Sequence, residues 1–381
     1  MQHFDYIFTG TGLAALLTVK AMLDSKEYES DTLLLIDPNT KNENDRTWSF
    51  WEKEGALFTD LAIKKWNSAV FKNSEFENKM HLSPYLYYTI KSKALYKEIK
   101  EQIAQNPNIK WVHEAVTSLM EDEELVTVTT TENSFTGKKV LNSIYKENEV
   151  LKQKKYPLIQ QHFVGWEIET TADSFDESTA TFMDFSVEQK GNTRFMYLLP
   201  FSKNKALIEY TLFSETVLKQ EEYEQEIKNY ITQLGITEYA ITETEKGCIP
   251  MTCYPFWKKN TNRILNIGSA GGWTKASTGY TFRNAVKKAN ALAKNLHTYS
   301  TFKNVYKANK FWFYDLLLLD ILYKNSQKGS EIFSALFKKG NAQLIFKFLD
   351  EETTILEDLK IILSCPKMPF IKALFNRVNP F

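Results

Sequence analysis

The run Asp5-Tyr-Ile-Phe-Thr-Gly10-Thr-Gly12-Leu-Ala14-Ala15 decides the architecture of this chain. An apolar strand enters Gly-x-Gly-x-x-Ala and leaves it into a helix-prone stretch, Leu16 to Leu23. A second apolar strand, Thr32 to Ile36, ends on Asp37. Strand, glycine turn, helix, strand and terminal acid in this order predict a dinucleotide-binding βαβ unit. Gly10 permits the tight turn into the helix, and Gly12 lets the backbone approach a pyrophosphate across Thr11 and Ala14. Ala15 stands where a third glycine is usual, at the close contact between helix and strand. The helix start offers N–H groups and partial positive charge to phosphates. Asp37 is placed to accept a ribose hydroxyl. The motif alone occurs in many loops, and it is the complete order of elements that makes it informative.

Composition bounds the rest. A chain of 381 residues with 43% apolar and 25% charged residues is globular and long enough for two domains and an appendage. Lys+Arg and Asp+Glu are both 47, which gives no electrostatic footprint for nucleic acid. Cys248, Cys253 and Cys365 have no metal-ligand spacing, so no metal is expected and the thiols read as reduced. The cofactor strand begins at the first residues, which leaves no signal peptide to expect. No apolar run has the length of a transmembrane helix; Phe311 to Tyr323 is interrupted by Asp315 and Asp320.

Along the chain, Asn44-Asp-Arg46-Thr-Trp-Ser-Phe-Trp51 reads as a loop packing its tryptophans on the sheet and carrying an Asp–Arg pair. Tyr85 to Tyr88 reads as a strand, and Ser92 as the cap of a helix from Lys93 to Gln105. Strands follow at 110–113 and 125–130. From Tyr156 the pattern changes to short aromatic, β-branched runs at 161–169, 180–185, 193–199 and 206–213, separated by turns such as Gly191-Asn192. Closely spaced strands without helices between them predict an antiparallel sheet inserted into the first domain. A helix from Gln220 to Leu234 and the run Gly247 to Thr252 lead back out. Asn262 to Ile267 is a further strand, ending in Gly268-Ser-Ala270-Gly271-Gly272, followed by Ser277-Thr-Gly279-Tyr280 and a helix from Phe282 to His297. Two glycine turns, each between strand and helix, favour FAD over a nicotinamide cofactor alone.

The expected fold is therefore α/β, with a Rossmann-like FAD-binding domain (1–60, 86–150 and 255–300) and an inserted antiparallel substrate domain (61–85 and 151–254). A helical C-terminal segment covers 301–381, with 12 Lys+Arg against 8 Asp+Glu. Its apolar stripes, flanked by Lys324, Lys328, Lys338, Lys339 and Lys347, fit a helix layer on an anionic membrane surface or a subdomain packed on the core.

The segments 44–51, 161–167, Met183-Asp-Phe185, Ile208-Glu209, Gly247-x-Ile-Pro-Met-Thr252 and Gly268-Ser-Ala-Gly-Gly-x-x-x-x-Ser-Thr-Gly-Tyr280 occur together and in order. In this the chain resembles bacterial lycopene β-cyclases, from its first strand to about residue 300. The resemblance implies an FAD-containing, peripherally membrane-associated enzyme at the cytoplasmic face, with a fold related to flavin hydroxylases. It implies closure of the ψ-ends of lycopene, or of other acyclic carotenoids, to β-ionone rings. The reaction is redox-neutral yet requires reduced FAD, with NAD(P)H as reductant. The implied cofactor residues are Gly10, Thr11, Gly12, Ala14, Ala15, Asp37, Arg46, Gly268, Ala270, Gly271, Gly279 and Tyr280. The implied proton donor is Glu209; the family usually carries a second acid directly after it, where this chain has Tyr210.

The residues make that chemistry reasonable on their own terms. A carboxylic acid in an apolar site holds its proton near neutrality, and Glu209 lies within Ala206-Leu-Ile-Glu-Tyr-Thr-Leu-Phe213. Strand alternation puts Glu209 on one face with Leu207, Thr211 and Phe213; Asp184 is the next carboxylate to consider. The rival readings are a flavin-dependent hydroxylase or prenyl reductase, which consumes NAD(P)H in proportion to product, and a flavin- or lipid-binding module without catalysis.

Overall fold

Tyr6 to Thr9 are all buried, so this strand needs a neighbour on each edge and a layer on each face. The computed structural model, which describes residues 1–339 and 341–378, supplies both. Gln2–Thr9 runs parallel to Leu33–Ile36 on one side and to Ser134–Asn142 on the other. Ile109–Val112 extends the sheet beyond Leu33–Ile36, and Ile264–Asn266 pairs with the end of Ser134–Asn142, both in parallel. Val126–Thr130 and Val116–Glu121 add an antiparallel edge. On one face, helices Leu13–Leu23 and Phe282–Asn295 pack through Ala15, Leu16 and Val19 against Ala285, Ala289 and Leu292. The other face buries Ile7, Leu34, Ile36 and Val140.

The second sheet has the order Tyr239–Thr252, Leu158–Thr170, Lys205–Ser214, Thr193–Pro200, Thr179–Asp184, Ser68–Lys72, Glu77–His81. It is antiparallel except where Thr179–Asp184 meets Ser68–Lys72. Alternation sorts its residues: Val164, Trp166, Ile208, Tyr210 and Leu212 are buried under helix Gln220–Gln233, while Leu207 and Phe213 belong to the opposite face. That opposite face is covered by the C-terminal helices Lys310–Lys324, Lys328–Lys339 and Ala342–Leu349 through Leu316, Leu319, Phe333 and Phe346. A small third sheet, Thr47–Lys53 with Tyr85–Lys91 and Lys64–Trp66, lies between the two halves of the chain. Helices Ile355–Ser364 and Lys367–Val378 finish the described chain. Of the expected C-terminal segment, residues 340 and 379–381 and the side chain of Lys339 lie outside the described residues.

Three expectations change. The stretch 44–51 is not a loop: Thr47–Lys53 is a strand, because pairing with Tyr85–Lys91 lets Phe50 stack on Phe282 while Trp51, on the other face, stacks on Phe346. Asp45 does not pair with Arg46; its Oδ1 accepts the hydroxyls of Ser92 and Tyr96. Ser92 in turn does not cap its helix, which starts at Ser92 itself after Lys91; its Oγ accepts the backbone N–H groups of Asp45 and Arg46. Ser134–Asn142, central to the first sheet, was not anticipated. Gly137 and the pair Lys138-Lys139 interrupt its apolar pattern, although Lys139 reaches past the sheet to donate to the Leu296 carbonyl at 2.8 Å.

Candidate active site

The first glycine turn has the conformation that its residues require. Gly10 has φ +83°, and a Cβ there would collide with Ser143 Oγ. Gly12 is different: no protein atom lies within 4 Å of a Cβ built on it, so packing does not demand glycine there. Gly12 is also the N-cap of Leu13–Leu23, with no side chain capping the helix and no acid in its first turn. An uncapped helix start facing open space is what a pyrophosphate requires. Thr11 donates to Asp37 Oδ2 from both its N–H (2.6 Å) and its hydroxyl (3.0 Å), and Asn39 N–H donates to Oδ1 at 2.8 Å. A carboxylate has about four acceptor positions, so Asp37 keeps capacity for a ribose hydroxyl. These residues fit an adenine dinucleotide.

The second glycine turn is brought against the first. A Cβ on Gly268 would lie 3.1 Å from Ala14 Cβ, so the start of one turn packs on the start of the other helix. Ala270 and Gly271 are buried in the short 3-10 turn Gly268–Gly271. The chain then runs to a tight loop in which Gly279 N–H donates to Lys275 O and Lys275 N–H to Tyr280 O. Gly279, at φ +72°, abuts the second sheet, and a Cβ there would strike Gln161 Oε1. Gln161 Oε1 and Thr278 Oγ1 are buried at this junction without a hydrogen-bond partner among the described residues, as expected where a polar ring binds. Helix Phe282–Asn295 is also uncapped by a side chain.

Glu209 sits on the sheet face that meets this loop. It is half-buried, opposite Tyr197 on one neighbouring strand and Gly165 on the other. Thr211 donates its hydroxyl to Glu209 Oε1 at 2.6 Å. Burial first, and then the neighbouring Glu245 carboxylate, push the Glu209 carboxyl up to about 8, with Thr211 opposing. Burial and Glu245 both favour the protonated form of Glu209. Around it stand rings whose hydroxyls are also held neutral: burial raises Tyr280 to about 12 and puts Tyr87 and Tyr197 well above their usual value. Tyr87 and Tyr197 hydrogen-bond each other, and Tyr280 meets Trp51 edge-on at 4.7 Å between ring centroids.

The structure thus gathers Gly10, Thr11, Gly12, Ala14, Ala15, Asp37, Gly268, Ala270 and Gly271 around two touching turns, and carries Gly279 and Tyr280 from there to the face of Glu209. Arg46 is exposed and its guanidinium bonds only the Asp45 carbonyl among the described residues. Asp184 faces away from the loop: fully buried, it binds Lys72 at 2.9 Å and accepts from Tyr230 and Ser186. Tyr210 points to the other face and accepts from Arg194 at 3.1 Å. A second acid at residue 210 would not share the cavity with Glu209.

Sequence reasoning missed two features. Glu245 lies beside Glu209, signalled only by its place two residues before Gly247-x-Ile-Pro. A buried polar ladder joins the strand ends that carry the turns. Thr9 donates to Asn142 Oδ1 (2.8 Å), Asn142 to Asn266 Oδ1 (2.8 Å), and Asn266 to Asn260 Oδ1 (3.1 Å).

Comparison with known proteins gives a consistent picture. Among solved structures, a flavin-dependent brominase superposes with a TM-score of 0.59 over 99% of this chain and 100% of its own, at 14% identity. A geranylgeranyl bacteriochlorophyll reductase-like protein from Thermoplasma acidophilum does so at 0.58 over 98% and 96%, at 10% identity. Likenesses this distant establish the fold: a Rossmann-like half with an inserted sheet. A lycopene beta-cyclase from Pantoea ananas is 25% identical over 303 residues, 76% of this chain and 74% of that protein. One from a Paracoccus species is 32% identical over 138 residues, 35% of each. The family model described as lycopene cyclase protein matches residues 5–375, from the first strand to the last helix, and the chain belongs to that family.

Proposed function

We propose that the protein is a carotenoid cyclase that closes the ψ-ends of lycopene to β-ionone rings, with Glu209 as proton donor. The observation that carries this is a carboxyl on an aromatic sheet face, next to the loop leading from the glycine turns, where burial and Glu245 favour its protonated form. Relatives named lycopene beta-cyclase support the substrate. The half of the chain in 1–60, 86–150 and 255–300 serves the cofactor, and 61–85 with 151–254 serves the substrate.

Gly12 and the helix start at Leu13 hold the pyrophosphate of FAD, Asp37 the ribose, and the Gly279–Tyr280 loop with Gln161 the ring end. When bound and reduced by NAD(P)H, FAD supplies negative charge that stabilises a cation beside it. Glu209 gives its proton to the terminal double bond of the substrate. The adjacent double bond attacks the resulting tertiary cation and closes a six-membered ring, and loss of a ring proton leaves product isomeric with substrate. Thr211 orients the Glu209 carboxyl through Oε1. The faces of Tyr197, Tyr280 and Phe163 exclude water and attract the cation, each contact worth about 0.5–2 kcal/mol.

Attachment to a membrane surface belongs to the same reading. Ile355, Leu356, Leu359, Ile362 and Leu363 recur on one face of their helix, and Met368, Ile371, Phe375 and Val378 on one face of the next; all are exposed. Beside them a groove of about 660 Å³ is lined by Lys324, Lys328, Lys367 and Lys372 against two acids, Asp320 and Glu331. No helix among the described residues is long and apolar enough to cross a membrane. An exposed apolar face with a basic flank suits adsorption to anionic lipid.

The test is anaerobic turnover of lycopene in vesicles with reduced FAD in deuterated water. Expected are cyclic product with solvent deuterium in the ring and NAD(P)H spared after the flavin is reduced. Glu209→Gln should still bind FAD and cyclise about 10²–10⁴-fold more slowly. One NAD(P)H oxidised per product molecule moves the protein to the hydroxylase or reductase class.

A further inference from the structure

We propose that Glu245 is a positioning residue for Glu209: the two carboxyls share a single proton across the side-chain-free Gly165, and Glu245 keeps that proton on Glu209. The proposal rests on the cyclase reading only for what the proton is used for. Glu209, Gly165 and Glu245 stand directly opposite one another on three adjacent strands, so all three project from the same sheet face. Gly165 is what allows the acids to meet. A Cβ there would lie 3.1 Å from Glu245 Cγ and 3.4 Å from Glu209 Cβ, inside the space the two side chains occupy. Glu245 is the charge that acts most strongly on the Glu209 carboxyl, and two carboxyls this close do not readily ionise together. Each also has a hydroxyl holding one outer oxygen: Thr211 on Glu209 Oε1 and Thr47 on Glu245 Oε2, both at 2.6 Å.

The surroundings decide where the proton sits. Lys91 lies on the Glu245 side, where it binds Glu243 at 2.7 Å and Glu167 at 2.9 Å, and Lys205 binds Glu167 at 2.6 Å. Two lysines and two glutamates balance, so these neighbours add no net charge beside the pair, which with one shared proton carries one negative charge. Burial raises Glu245 too, and Glu167 and Glu243 add to that, but the Thr47 hydroxyl and Lys91 favour its ionised form. On the Glu209 side stand Tyr197 and Tyr280, both neutral, and among the described residues no cation is one of the groups that act on Glu209. The charge therefore rests on Glu245 and the proton on Glu209, the carboxyl nearer the loop.

The experiment uses the full-length, FAD-loaded protein and two readouts: an infrared pH titration of the carboxylic-acid C=O band, and the pH profile of lycopene cyclisation in vesicles. In the unaltered protein a protonated-carboxyl band persists to about pH 8 and is absent in Glu209→Gln. Glu245→Gln keeps volume and can still accept from Thr47, but removes the charge. Its band midpoint and the alkaline limb of its activity should both fall by about one pH unit or more, with the low-pH plateau of kcat changed less than about threefold. Glu245→Asp, which keeps the charge, should hold the midpoint within about half a unit. An unmoved midpoint in Glu245→Gln, or a lost plateau without a shifted midpoint, overturns the proposal. If the unaltered protein makes no cyclic carotenoid, the cyclase reading fails, while the infrared titration still decides the pair.

Discussion

Glu209 and Tyr210 are adjacent in sequence and opposite in role, because strand alternation sends them to different faces. Glu209 opens on rings and the loop of Tyr280, and Tyr210 is locked under a helix by Arg194. The alternation was legible from residues 206–213, so the face Glu209 shares with Leu207, Thr211 and Phe213 could be given, while its proposed role as acid came from the family resemblance. Its partner could not, because Glu245 is 36 positions away and only three-strand register brings the two together. Gly12 makes the same point from the cofactor side. Since nothing in the protein touches a Cβ there, Gly12→Val should leave the fold intact, with Tm changed by no more than a few degrees. On the proposed reading the side chain fills the space of the pyrophosphate, so FAD titration followed by fluorescence should read at least a hundredfold weaker binding. A Val variant that retains stoichiometric FAD removes the turn from the cofactor site.

At the scale of elements, the first βαβ unit was readable because glycine spacing and apolar runs are local signals. Ser134–Asn142 was not, since Gly137 and two lysines break its pattern and both of its parallel neighbours lie over a hundred residues away. The strand Thr47–Lys53 was mistaken for a loop because its partner, Tyr85–Lys91, comes much later and its aromatic residues serve two different layers. The polar ladder from Thr9 through Asn142 and Asn266 to Asn260 joins strand ends that no local pattern connects. Asn142→Leu should cost about 1–3 kcal/mol for each partner left buried without a bond. Thermal denaturation should read a loss of several degrees. FAD affinity should fall as well, because the glycine turns begin one or two residues beyond the ladder. Unchanged melting would mean that water replaces the amide at no cost.

For the whole molecule, the C-terminal helices are both a wall and a surface. Inward, Trp51 donates to Asp350 at 2.9 Å, Arg283 binds Asp350 at 2.8 Å, and Lys275 of the Gly279–Tyr280 loop is buried between Asp315 (2.9 Å) and Glu351 (3.2 Å). Outward, Leu356 is 74% and Phe375 63% exposed. Composition and charge in this segment left a packed subdomain and a membrane layer as alternatives; the inward face packs on the core, and the outward face carries the exposed apolar residues on which the proposed membrane attachment rests. Leu356→Asp with Phe375→Asp should leave folding unchanged, since neither side chain is packed, but lower recovery with anionic vesicles in flotation about tenfold or more. Equal flotation would assign attachment to another face. The C-terminal helices lie between the exposed apolar residues of Ile355–Ser364 and Lys367–Val378 and the aromatic sheet face that carries Glu209, and on the proposed reading those residues meet lipid. For a water-insoluble hydrocarbon the relevant concentration is then its mole fraction in the lipid. Adding inert phospholipid at constant total lycopene should slow turnover in proportion to dilution in the plane, so saturation is a property of the surface and not of the volume.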